Sequence, residues 1–119
     1  MAYETTRIDG DIVHVKITGV MKLADQRAIQ AAGMKLIEQG VMPSLMLTLD
    51  KFQGWEKGVD WGDVGFMLSE GKNIRKMAIV GDKRWEDEVL VFVGKGIRST
   101  EIEFFPVAAA RDAETWIRS

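Results

Sequence analysis

Residues that could carry out catalysis are few in this sequence. The chain has one histidine, His14, and no cysteine, which excludes disulfide scaffolds, thiol catalysis and cysteine-ligated zinc. His14 lies in a segment that alternates polar and apolar residues, so we expect an exposed strand residue without convergent catalytic partners. Asp60 and Asp63 are spaced for one face of a helix, where they could do acid-base work, hold a hard cation or simply be solvated, and we favour the solvated face. The sequence therefore predicts no enzyme, no metal site and no cofactor.

The four tryptophans are more informative. Trp55 and Trp61 follow a predicted strand that ends at Asp50, and Trp85 follows a predicted strand that ends at Gly81. Parallel strands end at the same edge of a sheet, here called the carboxyl edge, and open α/β sheets usually bind ligands there. These three indoles should therefore gather at the carboxyl edge, where they either line a pocket or close the top of the core.

Residues 59–70 form a predicted helix with apolar residues on two sides. One side carries Trp61, Val64, Gly65 and Leu68, and the other carries Val59, Gly62 and Phe66. A surface helix needs only one apolar stripe, and each glycine weakens a helix by about 1 kcal/mol relative to alanine. We therefore consider this helix a candidate lid over an apolar ligand. The candidate ligand-binding residues are Trp55, Trp61, Val64, Phe66, Leu68, Lys83, Arg84 and Trp85.

Charge is segregated along the chain, although the net charge is only −2. That balance is too weak for a nucleic-acid footprint. Residues 50–70 carry five acids and two lysines, whereas residues 72–84 carry five basic residues against Asp82 alone. Lys83 and Arg84 could meet an anionic head group or an acidic partner, and the alternative is solvated surface charge. The acidic side of helix 59–70 argues against a basic membrane anchor.

The order of the predicted elements is β-β-α-β-α-β-α-β-α, which favours an α/β fold with right-handed crossovers. We expect one domain over residues 1–119 and a five-stranded mixed sheet, with Asp9-Gly10 turning the leading antiparallel hairpin. Residues 52–55 are predicted as a loop, and the charged alternation from Glu101 to Phe104 predicts an edge strand. No apolar run could span a membrane and the first residues lack a signal-peptide core, so we expect a cytoplasmic protein.

The segments Asp50–Trp55, Asp60–Trp61 and Arg75–Trp85 resemble the SpoIIAA-like (STAS-like) family. Phe104–Phe105 and the last helix, with Ala113 and Trp116, fit the same family. The resemblance implies a superhelix of βα units related to the lipid-binding CRAL-TRIO domains, with a second helix able to open and close.

Known STAS relatives of this family are anti-sigma factor antagonists that are switched by phosphorylation of a serine after the third strand. This sequence has no serine or threonine between Thr48 and Ser69, so a switch at that place is not expected.

Two functions of different classes remain. The first is a non-enzymatic module that binds an apolar or lipid-like molecule beneath helix 59–70, with peripheral contact to a membrane surface as an extension. The alternative is a protein-interaction module that pairs with itself, as a homodimer, or with a regulator through its exposed sheet face or its carboxyl edge.

Overall fold

The computed structural model describes residues 3–40, 42–58, 74–92 and 100–119. Strands and helices alternate along this part of the chain as β1 (Tyr3–Asp9), β2 (Ile12–Met21), α1 (Leu23–Glu38), β3 (Ser44–Trp55), β4 (Lys76–Gly81), α2 (Glu86–Phe92), β5 (Glu101–Pro106) and α3 (Ala110–Arg118). A 3₁₀ turn precedes α2 at Lys83–Trp85, and another precedes α3 at Val107–Ala109.

The strands form one sheet in the order β1-β2-β3-β4-β5. The four strands β2 to β5 run parallel to one another, and β1 is added antiparallel to β2 through a two-residue turn. The predicted α/β class is confirmed, and its central unit is a four-stranded parallel sheet with β1 as an addition. Within the described residues β5 lies at an edge, as the charges on its alternate residues indicate.

Both faces of the sheet carry a core, because successive residues of a strand face opposite sides. On the first face, α1 and α2 cover the sheet, with Ile29 and Val89 among the side chains that pack there. On the second face, α3 covers the sheet through Ala113 and Ile117. We call these the two-helix face and the one-helix face.

The segment 52–55, predicted as a loop, belongs to β3, which runs over 12 residues. The strand continues because two residues adopt positive φ angles, Lys51 at 54° and Gly54 at 101°. The pairing of β2 with β3 shifts register at the same place, between Thr18 and Gly19. Glycine and polar residues therefore mark an irregular, bulged strand here, and the loop prediction was wrong.

His14 is buried, with 8% of its surface exposed, so the prediction of an exposed strand residue was also wrong. It is in register with Met46, on the one-helix face, where Ile12 and Met46 pack in the same cluster as α3. Long-range packing, which the local alternation does not encode, buries this position. His14 lies far along β2 from Met21, the residue at the carboxyl edge.

Candidate functional site

Three aromatic side chains form a cluster at the carboxyl edge, and we call Phe52, Trp55 and Trp85 the aromatic cluster. The ring centroids of Phe52 lie 5.1 Å from Trp55 and 5.0 Å from Trp85, and the two indoles are 6.1 Å apart. All three pairs are T-shaped, with interplanar angles of 86°, 76° and 82°. Such pairs contribute about 0.5–1.5 kcal/mol each beyond their buried area.

A glycine allows β3 to approach this cluster closely. Gly54 has a φ of 101°, and a Cβ atom built on it would lie 3.4 Å from Cη2 of Trp85. A side chain there would be strained by the backbone angle and would touch the indole. Trp55 thus supplies one indole of the cluster, and the absence of a side chain at Gly54 lets the indole of Trp85 lie against the strand.

Asp82 fixes the chain segment that carries Trp85. Its carboxylate accepts a hydrogen bond from the backbone N–H of Arg84 at 3.0 Å, and its carbonyl oxygen accepts one from Trp85 at 3.0 Å. Asp82 thereby caps the 3₁₀ turn that precedes α2. The guanidinium of Arg84 then lies 4.8 Å from the centroid of the Trp85 ring, in cation–π contact.

Glu56 anchors the other side of the aromatic cluster. Its backbone N–H donates to the carbonyl of Met21 at 2.8 Å, and its Oε1 atom accepts the N–H of Leu23 at 3.2 Å. Leu23 is the first residue of α1, so this carboxylate satisfies an amide that the helix cannot satisfy itself. The end of β3 is thereby tied to the beginning of α1.

The basic residues of the described part of this run, residues 74–84, do not form one surface, and Lys72 lies outside the described residues. Lys76 begins β4, and its Nζ atom donates to the main-chain oxygens of Trp116 and Ser119, both at 3.0 Å, and to Oγ of Ser119 at 2.7 Å. Arg75 donates to the same Ser119 oxygen at 2.7 Å. These two residues hold the end of α3, whereas Lys83 follows β4 at the carboxyl edge.

The structure brings together four of the candidate ligand-binding residues predicted above, namely Trp55, Lys83, Arg84 and Trp85. The other four, Trp61, Val64, Phe66 and Leu68, lie outside the described residues, as does the predicted lid helix. Sequence reasoning missed Phe52, which is 6% exposed at the centre of the cluster. Its place two residues before the Gly54-Trp55 pair was the available signal.

Two further observations concern the described residues. They contain no group of three or more side chains that could hold a metal ion. None of their helices is long and apolar enough to cross a membrane.

Comparison with protein families identifies the fold. The family model for SpoIIAA-like proteins matches residues 12–118. The chain belongs to the SpoIIAA-like family. The match includes every strand of the parallel sheet and the whole carboxyl edge of this SpoIIAA-like chain.

Solved structures support the same SpoIIAA-like fold. A DUF3478-family protein with a SpoIIAA-like fold from Shewanella loihica PV-4 is 20% identical, with a TM-score of 0.68 over 98% of this chain and 92% of that one. The anti-sigma factor antagonist SpoIIAA in its unphosphorylated form is 14% identical, with a TM-score of 0.62 over 96% and 98% of the two chains.

The Bacillus cell fate determinant SpoIIAA in its phosphorylated form is 15% identical, with a TM-score of 0.57 over 93% and 97% of the two chains. No curated protein matches the sequence. The further relation to CRAL-TRIO domains is not shown by these comparisons.

Proposed function

We propose that this SpoIIAA-like chain is a regulatory protein-interaction module whose partner protein docks at the carboxyl edge. The fold supports this proposal, because the solved structures of the same fold include an anti-sigma factor antagonist. A module of this kind works by binding rather than by catalysis.

The observation that carries the proposal is the stack of Arg84 on Trp85. Arg84 is exposed and Trp85 is partly buried, so the pair presents a charged group on a fixed aromatic base. Tryptophan and arginine are the side chains most often found at the energetic centre of protein interfaces. Because the turn and the aromatic cluster already hold both residues, little side-chain entropy would be lost on docking.

Exposed lysines also belong to the segments at the carboxyl edge. Lys51, Lys57 and Lys83 are all exposed there. Glu56 and Asp82 are engaged in the backbone hydrogen bonds described above, whereas three further acids, Glu86, Asp87 and Glu88, form the first turn of α2 directly after Trp85. The basic side chains beside the indoles suit a protein surface that carries carboxylates.

The absence of a hydroxyl residue after β3 shapes the proposed mode of regulation. One of the solved SpoIIAA structures is of a phosphorylated form, whereas this chain has no serine or threonine between Thr48 and Ser69. Binding at the carboxyl edge would then be controlled by the amount or state of the partner. The proposal does not involve phosphorylation of this segment.

The test is a binding comparison between matched charge variants. Proteins retained by the wild-type chain are purified without further selection, and their affinities for the wild-type chain and for the double variant Lys83→Glu/Arg84→Glu are measured by calorimetry. We expect the double variant to weaken binding at least about tenfold, because two basic contacts become repulsive. The control is Lys35→Glu/Arg111→Glu, which changes two exposed residues on α1 and α3 by the same charge and should alter the affinity less than about twofold.

Two results would contradict the proposal. One is a partner whose affinity does not respond to the charge reversal at the carboxyl edge. The other is a saturable change of tryptophan fluorescence on titration with fatty acids or lysolipids, reduced by Trp61→Ala more than by Trp116→Ala, in the absence of any protein partner. That second outcome would favour the ligand-binding hypothesis.

A further inference from the structure

Among the described residues, nothing pairs with the outer side of β1, which is an open edge of the sheet. β1 pairs with β2 on one side and is the last strand in the sheet order, within the part of the chain that is described. The N–H and C=O groups on an open edge can pair with a further strand. The seven residues Tyr3–Asp9 are long enough for such a pairing.

The sequence of β1 is complementary to itself in the antiparallel direction. It reads Tyr-Glu-Thr-Thr-Arg-Ile-Asp over residues 3–9. If two copies pair about an axis between Thr5 and Thr6, Glu4 lies opposite the partner's Arg7, and the symmetry repeats this pair. Opposite charges that face each other across two strands are stabilising, and like charges in the same place are destabilising.

The faces of the strand agree with this pairing. Glu4 is in register with Lys16 and Arg7 with His14, and these two β2 residues lie on the same face of the sheet. Positions that lie opposite each other across paired strands must share a face, and the backbone register places positions 4 and 7 of β1 on one face. Glu4, whose side chain is described, is exposed.

The hydrogen-bonding groups agree as well. Asp9 and Ile12 close a two-residue turn, so they exchange hydrogen bonds with each other, and Ile8 turns its N–H and C=O to the open edge. In a regular strand, the N–H and C=O groups of successive residues point alternately to the two sides of the strand. Tyr3 and Ile8 differ by an odd number of residues, so in a regular strand the backbone groups of Tyr3 would point towards β2.

A bulge changes this alternation. The register of β1 with β2 shifts between Thr5 and Arg7, which leaves one extra residue in β1. Tyr3 therefore turns its groups to the same open edge as Ile8. Bulges often make an edge unsuitable for pairing, whereas this one places the groups of Tyr3 opposite those of the partner's Ile8.

We infer that β1 pairs antiparallel with β1 of a second copy of this chain, so that the two sheets become continuous. This surface is separate from the carboxyl edge, and the inference does not depend on the partner proposed above. An interface of seven residues on each side is small, so the dimer should be weak and should exchange with monomers.

A charge swap tests the pairing. The mass of the full chain is followed by sedimentation velocity over a concentration series from micromolar to millimolar at moderate salt. Glu4→Arg and Arg7→Glu should each weaken dimerisation about tenfold, because two attractive pairs become repulsive. The double variant Glu4→Arg/Arg7→Glu should return the dissociation constant to within about threefold of the wild type, because the pairs are restored with reversed polarity. Glu101→Arg, on the opposite edge strand, is the matched control and should have no effect.

Cross-linking provides a second measurement that does not depend on charge. The chain contains no cysteine, so Glu4→Cys/Arg7→Cys is free of background reactions. Opposite residues in a non-hydrogen-bonded antiparallel pair have Cα atoms about 4.5 Å apart, which is within reach of a disulfide. Residues 4 and 7 of the same strand are too far apart to form one. Mild oxidation should therefore give a covalent dimer that reduction reverses.

Three results would overturn the inference. They are a chain that remains monomeric through the whole series, a dimer unaffected by the single charge reversals, and a double charge variant that stays as weak as the single ones. Circular dichroism of each variant separates unfolding from loss of pairing.

Discussion

The close approach of Gly81 and Leu49 leaves no room for a side chain at the end of β4. A Cβ atom built on Gly81, at the end of β4, would lie 3.0 Å from Cβ, 3.1 Å from Cδ1 and 3.2 Å from Cγ of Leu49. The glycine is buried, so the added methyl group has no solvent to turn towards. The tight packing of β4 against β3 next to the aromatic cluster thus depends on this residue having no side chain.

We expect Gly81→Ala to lower the free energy of unfolding by about 1–3 kcal/mol, the usual cost of overpacking. In a Leu49→Ala background the same change should cost less, because Cγ and Cδ1 of Leu49 are gone and only its Cβ atom remains close to the added methyl group. Urea unfolding of the four proteins measures the coupling. Equal costs in the two backgrounds would show that the contact does not determine the effect.

Single residues also show where sequence reasoning succeeds and where it fails. The position of Trp55 and Trp85 after two parallel strands predicted that both lie at one edge, and the structure brings their rings together. Local alternation could not reveal that the face on which His14 lies carries a second core, or that His14 itself is buried. Nor could composition show that Lys51 adopts a positive φ and lets the strand continue.

At the level of elements, α3 is held against the sheet by a buried cation. Lys76 is 7% exposed, donates to three oxygen atoms at the end of α3 and lies 4.7 Å from the centroid of the Trp116 ring. Positive charge is favourable at this end of a helix because the last carbonyl groups lack partners. In the sequence, Lys76 appears as one of several adjacent basic residues, and its role emerges only from the position of α3.

Lys76→Met should lower the free energy of unfolding by about 1.5–3 kcal/mol, because three charged, partly buried hydrogen bonds are lost. Arg75→Met is the natural control, since Arg75 is exposed and makes one of the hydrogen bonds to Ser119. Its cost should stay below about 1 kcal/mol. Chemical denaturation of both variants gives the comparison, and a larger effect at Arg75 would contradict the role assigned to Lys76.

At the scale of the whole molecule, one sheet serves two cores. β4 is completely buried and contributes Met77 and Ile79 to the two-helix face and Ala78 and Val80 to the one-helix face. Because each core needs the same strand, neither can form without it. The sequence predicted the α/β class and the alternation of elements, since these follow from local periodicity. Which helices cover which face depends on long-range packing.

We therefore expect a single cooperative unfolding transition. Ile117→Ala, on the one-helix face, should lower the free energy of unfolding by about 2–5 kcal/mol. Its denaturation midpoint should move equally by far-ultraviolet circular dichroism and by tryptophan fluorescence, part of which comes from the aromatic cluster on the other side of the sheet. The control is Val91→Ala, at a side chain that is 81% exposed, which should change the free energy of unfolding by less than about 0.5 kcal/mol. Separate transitions for the two probes would show that the cores are independent.

The hydrogen bond from the N–H of Leu23 to the Glu56 carboxylate connects the carboxyl edge directly to the first turn of α1. Glu56 directly follows Trp55, so an occupant that draws this indole outward also draws the carboxylate away from the first amide of α1. The helix would then begin with one more unsatisfied N–H group, and its first turn would fray. By reciprocity, any event that loosens the start of α1 changes the affinity at the carboxyl edge by the same factor. Binding at the indoles would thus change the stability of the first turn of α1, even if the bound molecule makes no contact with that helix.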